Sequence, residues 1–193
     1  MNIQRTSIEG LVIITPDVHW DGRGYFFESY NYRSLKDLIG LQAHFVQDNE
    51  SSSSYGVVRG LHYQNGGHSQ MKLVRVIRGE VYDVAVDLRP DSPTFGDWVG
   101  VRLSSQNGKQ LLIPKGFAHG FSVLSEEAVF AYKCDDYYSP NHEKGIKYND
   151  TYLNIDWKLP EEAIKVSEKD SLLPGFMEVF PNINDRKQGR GSN

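Results

Sequence analysis

The sequence predicts an all-β protein, an antiparallel jelly roll or a related barrel, with only a few short helices. Three observations carry that prediction. Aromatic residues make up 12% of the chain and stand beside 18 glycines and 8 prolines, a composition suited to short strands joined by tight turns. About ten short apolar or alternating runs recur at close spacing, each closed by turn-forming residues. Apolar spacing of helical period is scarce.

In chain order, residues 11–15 form an apolar run stopped by Pro16, hence a strand. Asp21-Gly22-Arg23-Gly24 is a turn, and residues 25–30 a second strand carrying Glu28. Residues 34–39 predict a helix, with Leu35, Leu38 and Ile39 on one face and Gly40 as its stop. Residues 45–49 predict a strand that points Gln47 and Asn49 one way and Asp48 the other. Residues 51–54, all serine, read as a polar loop. Val57 and Val58 open a strand that runs through Arg59-Gly60-Leu61-His62-Tyr63-Gln64.

Residues 73–77 and 81–86 flank Arg78-Gly79-Glu80 and predict a hairpin. Asp83 and Asp87 share a face with Val81 and Ala85, where carboxylates need partners. Residues 98–103 and 110–113 are two more strands. Pro114 and Gly116 then turn the chain into a strand bearing His119. In the next strand, residues 130–134, Tyr132 shares a face with Phe130 and Cys134. Residues 135–156 are loop-rich, and Ser167-Glu168-Lys169-Asp170 is a late polar cluster. Residues 184–193 are polar and glycine-bearing and are expected to be a disordered tail, leaving residues 1–183 as one domain.

Composition also narrows the partners. A formal net charge of −4 argues against nucleic acid. The single cysteine, Cys134, precludes an intrachain disulfide and suits a reducing cytoplasm. The N-terminus shows no signal pattern and no apolar run approaches ~18 residues, so no membrane association is expected and the chain is placed in the cytoplasm.

The chemistry concentrates in two stretches, around His62 and around His119. Inward positions of a barrel can gather His62, Lys72, His119 and Tyr132 around one ligand. Three chemistries compete: a metal site, a sugar- or nucleotide-binding module without turnover, and acid–base catalysis with His62 as base, Tyr132 as acid and Lys72 polarising a carbonyl. No two other histidines are close in sequence, which weakens the metal reading.

The ordered set Asp21-Gly22-Arg23-Gly24-Tyr25-Phe26-Phe27-Glu28, Gln47-Asp48-Asn49, Arg59-Gly60-Leu61-His62-Tyr63-Gln64, Lys72-Leu73-Val74-Arg75, Pro114-Lys115-Gly116-Phe117-Ala118-His119-Gly120-Phe121, Tyr132-Lys133-Cys134 and Lys169-Asp170 resembles the dTDP-4-dehydrorhamnose 3,5-epimerase family. The resemblance implies a cupin-like jelly roll, a homodimer, no cofactor and no metal. It implies a dTDP-linked 4-keto-6-deoxyhexose as substrate, in rhamnose precursor biosynthesis. It casts His62 as base, Asp170 as its orienting carboxylate, Tyr132 as acid, and Lys72 as the group facing the C4 carbonyl.

By the same resemblance Arg23, Glu28, Gln47, Asp48, Asn49, Arg59, His119, Glu143 and Lys169 bind the nucleotide or its phosphates, and Tyr138 stacks near the thymine. Arg23 and Glu28 are expected to act across the dimer. One departure is Gly66-Gly67, where relatives usually carry two prolines, which loosens a loop beside the site. Tyr148 and Leu112 stand where aromatics are commoner. Strict alternation would send Arg59 and His62 to opposite faces, so a bulge is expected at Gly60.

Overall fold

The computed structural model describes residues 1–181. The first half contains β1 (Asn2–Arg5), β2 (Val12–Thr15), β3 (His19–Asp21), β4 (Gly24–Phe26), helix α1 (Tyr32–Ile39), β5 (Gln47–Ser54), β6 (Val58–Gln64) and β7 (Lys72–Arg78). The second contains β8 (Glu80–Asp87), β9 (Trp98–Ser104), β10 (Gln110–Ile113), β11 (Phe117–Val123), β12 (Glu127–Cys134) and β13 (Glu143–Gly145). Two four-residue helices follow, α2 (Glu168–Ser171) and α3 (Phe176–Val179). The strands form a six-stranded sheet, β1-β2-β10-β7-β12-β5, facing a five-stranded one, β13-β6-β11-β8-β9, with β3 and β4 as a separate ribbon. This is the expected jelly roll.

The core lies between the sheets, where Val74, Val76, Leu111 and Phe130 of one meet Val81, Ala85, Leu103, Phe121 and Val123 of the other. Outside the five-stranded sheet, Val84 and Val86 are also buried, under Leu153, Trp157 and Phe176 of the C-terminal segment. Burying each such side chain stabilises by about 1.5–3 kcal/mol, enough to pin that segment in place. With both faces covered, β8 has lost the alternation of a half-buried strand.

Helix α1 begins where Asn31 Oδ1 accepts the Ser34 N–H at 3.1 Å and ends at Gly40, whose φ of 69° is left-handed. It packs Leu35 against Val12, Ile14 and Leu112. Leu38, expected on that face, is 49% exposed. The stretch expected as a strand from 25 to 30 leaves its ladder at Phe26, so Glu28 stands beyond it and accepts from Asn31 Nδ2 at 3.1 Å.

Two further expectations are corrected. β7 and β8 are not a hairpin: β7 pairs with β10 and β12, whereas β8 pairs with β11 and β9. Gly79, at φ 80°, turns the chain from one sheet to the other. A Cβ there would lie 2.1 Å from Glu127 O, so only glycine fits the corner. The serines 51–54 are not a loop but the second half of β5, paired with β12 over all eight residues. As an edge strand β5 tolerates polar residues because its ladder partner, not its side chains, holds it. The expected tail, residues 184–193, and the last two residues of the expected domain lie outside the described residues.

Candidate active site

The two sheets open at one end into a cavity of about 870 Å³. The six-stranded sheet contributes Asp48, Asn49, Lys72 and Tyr132; the five-stranded sheet contributes Arg59, His62 and His119; Lys169 and Asp170 enter from α2. Ser167, from the late polar cluster, also lines it, as do Glu50, Ser51 and Lys165, which the sequence had not marked.

The bulge expected at Gly60 is present. His119 pairs with His62 and Phe121 with Arg59, so two residue steps on β11 match three on β6. The extra residue brings Arg59 and His62 to the same cavity. Gly60 has φ 117°, and a Cβ on it would fall 2.6 Å from Gly120 Cα. Its N–H points to Asp170 Oδ2 at 3.1 Å.

Asp170 is 4% exposed, and its other oxygen meets His62 Nε2 at 2.8 Å. Ser167 caps the helix by accepting the Asp170 N–H at 3.1 Å, which sets where the carboxylate stands. Burial alone would push the Asp170 carboxyl up, but the bonds from His62, the Gly60 N–H and Ser167 outweigh it and hold it below the usual carboxylate range. An ionised Asp170 makes His62 Nε2 the donor and leaves Nδ1 as the proton acceptor.

Across the cavity, Tyr132 sits opposite Asn49 in the β5–β12 ladder and opposite Val74 in the β7–β12 ladder. Burial raises its phenol above the ordinary tyrosine value, so it stays protonated at neutral pH. Lys72 Nζ lies 5.8 Å from the Tyr132 ring centroid. Burial draws the Lys72 ammonium below its ordinary value, against the opposing pull of Cys134, Asp83 and Glu143. Burial likewise lifts the Cys134 thiol to about 11, so it is not a nucleophile near neutrality.

The remaining marked residues fall into three groups. Arg59 is aimed by Ser53, whose Oγ accepts its Nε–H at 3.0 Å. Glu143, on the edge strand beside His62, accepts from Tyr138 Oη at 2.9 Å and pairs with Lys169, so one carboxylate ties three elements at the rim. Gln47 joins this rim: its Oε1 accepts the Tyr138 N–H at 3.0 Å and its Nε2 donates to Asn49 Oδ1 at 2.8 Å. Gln47, Tyr138 and Glu143 therefore stand at the rim, outside the cavity lining. Arg23 and Glu28 are not brought to this cavity: Arg23 is exposed and paired with Asp21 at 2.5 Å. No three His, Cys, Asp or Glu side chains among the described residues are grouped as a metal ion would require.

A carboxylate-oriented imidazole on one wall, a protonated phenol on the other and a lysine ammonium beside it are groups suited to acid–base chemistry, held in a cupin-like jelly roll. The family model for dTDP-4-dehydrorhamnose 3,5-epimerase matches residues 5–178, and the chain belongs to that family of isomerases. It is 54% identical over 183 residues to the dTDP-4-dehydrorhamnose 3,5-epimerase of Pseudomonas aeruginosa, covering 94% of this chain and 100% of that one. Its fold is similar to that of the RmlC epimerase of Legionella pneumophila in complex with dTDP-4-keto-L-rhamnose, with TM-score 0.87, 53% identity and 90% and 92% of the two chains covered. It is also similar to ChmJ, a 3′-monoepimerase of Streptomyces bikiniensis, in a complex with dTDP, with TM-score 0.84, 29% identity and 92% and 89% covered. That structure carries a His-to-Asn and a Tyr-to-Phe substitution.

Proposed function

We propose that this chain inverts C3 and C5 of dTDP-4-dehydro-6-deoxy-D-glucose to give dTDP-4-dehydro-L-rhamnose. The observation that carries the reading is the placement of His62, with Asp170 behind it, and Tyr132 on facing sheets of one cavity. Inversion needs a proton removed from one face of a carbon and delivered to the other. His62 Nδ1 takes the proton α to the C4 ketone, the electron pair moves to the carbonyl oxygen, and Lys72 stabilises the resulting enolate. Tyr132 then returns a proton from the opposite side. Arg59, His119 and Lys169 hold the phosphates, with Asp48 and Asn49 on the nucleoside and Tyr138 against the thymine. The chain acts as a cytoplasmic homodimer in which Arg23 and Glu28 reach the partner's cavity.

The test is turnover of the dTDP-4-keto sugar in D₂O, read by NMR. Deuterium at both C3 and C5 is the expected result; C3 alone would assign the 3′-monoepimerase reaction, and neither would leave a binding protein. His62→Ala should stop exchange at both carbons. Tyr132→Phe should retain exchange and lose inversion, at C5 above all, because the enolate still forms.

A further inference from the structure

The cavity holds a second imidazole–carboxylate pair, whose carboxylate the reading above does not use. His119 Nε2 stands 2.9 Å from Asp83 Oδ2. In the ladders His119 lies between His62 and Ala85, and Asp83, opposite Phe121, reaches it diagonally from β8. The pair is deep: Asp83 is 0% and His119 8% exposed, and Asp83 is flanked on its own strand by the core residues Val81 and Ala85. Asp83 Oδ1 has no hydrogen-bond partner among the described residues.

A half-satisfied carboxylate stabilises a core less well than an apolar side chain of the same size, so packing is a poor account of it. Its charge does have objects. One is His119, which lines the cavity while Asp83 stands behind it. The other is Lys72 on the facing sheet, toward which Asp83, Cys134 and Glu143 are the attractive groups acting against desolvation.

We propose that Asp83 is a positioning residue of the epimerase reaction: its bond fixes the His119 ring in the cavity lining, and its charge faces Lys72, the group that meets the C4 oxygen as negative charge develops there. This rests on the function proposed above. Asp83 itself touches no reacting atom. Its bond makes His119 Nε2 the donor and fixes the plane of that ring in the cavity lining. Its unshared oxygen leaves the negative charge acting toward the Lys72 ammonium, alongside Cys134 and Glu143 and against desolvation.

Asp83→Asn separates charge from shape, since its amide oxygen still accepts from His119. Expected is a fall in kcat of about tenfold to a hundredfold, with KM changed less than about threefold and thermal stability kept or raised. The alkaline limb of kcat should move to lower pH, because Lys72 loses an attractive charge while its burial persists. Asp83→Glu, which keeps the charge, should recover part of the rate. An Asp83→Asn enzyme with wild-type kcat and an unmoved alkaline limb would overturn the proposal, as would loss of stability with an unchanged rate per folded molecule. Independently of any variant's folding, ¹⁵N NMR of the wild-type imidazoles should show His119 protonated on Nε2; an Nδ1–H tautomer would equally sink it. Wild-type protein that fails to turn over the keto sugar sinks the proposed function instead, a result distinct from either of these.

Discussion

At the scale of single residues, the site works by giving neighbouring groups opposite protonation preferences. Asp170 is held ionised, Tyr132 is held protonated, and burial draws the ammonium of Lys72 below its ordinary value. Asp170→Asn should therefore cut kcat by roughly 10²–10⁴-fold with little change in nucleotide affinity, since the carboxylate orients the base and does not hold the ligand. A variant that loses dTDP affinity by calorimetry yet turns over bound sugar normally would move Asp170 to the binding set. The same lowered carboxyl predicts a stability difference. Its folded value lies below its unfolded one, so its stabilisation is complete above the unfolded value and is lost as pH falls through the folded value. Wild type should melt higher than Asp170→Asn at pH 7, and the gap should close below about pH 4. A gap that persists unchanged in acid would show that packing, not ionisation, is responsible. Of these residues, His62, Lys72, Tyr132 and Asp170 were legible as chemistry-bearing types. Ser53, which aims Arg59, carried almost no signal, and Ser167 stood out only as a member of the polar cluster that holds Asp170, because a serine's worth depends on which group folding brings to it.

At the scale of elements, the bulge in β6 does two jobs with one extra residue. It resets the alternation so that Arg59 and His62 share the cavity, and it frees the Gly60 N–H to hold Asp170 Oδ2. Gly60→Ala forces a Cβ to within 2.7 Å of His119 O at a φ of 117°, so both the strand and the dyad must shift. A loss of about 2–3 kcal/mol in stability with a fall in kcat is expected from chemical denaturation and steady-state kinetics. An alanine enzyme of native stability and rate would mean that the bulge tolerates rearrangement and does not set the site. This bulge was readable because the family resemblance gave Arg59 and His62 one destination, and they stand an odd number of positions apart. The β7–β8 crossing was not: Arg78-Gly79-Glu80 signals a reversal, but a hairpin and a change of sheet use the same turn residues. Only the strands arriving later, β10 and β12 on one side and β9 and β11 on the other, decide between them. The all-serine half of β5 was missed for a related reason, since its partner β12 is more than seventy residues away.

At the scale of the whole molecule, one chain leaves two marked residues without work. Arg23 and Glu28 stand outside the cavity, beside a ribbon whose Trp20, Tyr25 and Phe26 are 72%, 57% and 69% exposed. Three large aromatics left in water together are a contact surface in search of a partner. The proposed two-fold dimer would satisfy both facts by carrying each ribbon to the other subunit's cavity. The arrangement makes a quantitative forecast. His62→Ala and Arg23→Ala homodimers should both be impaired, the first in chemistry and the second in substrate binding. Unfolded together in equal amounts and refolded, half of the dimers are mixed, and in each of these one site combines an intact His62 with the partner's intact Arg23. Activity at low substrate should then rise to about a quarter of wild type, since one site in four is whole. If Arg23 serves its own cavity, the mixed dimers contain no whole site and the mixture stays at the average of the two parents. Trp20→Ser with Phe26→Ser supplies the physical counterpart: sedimentation should show the dimer weakened, with a concentration-dependent loss of activity that excess protein restores.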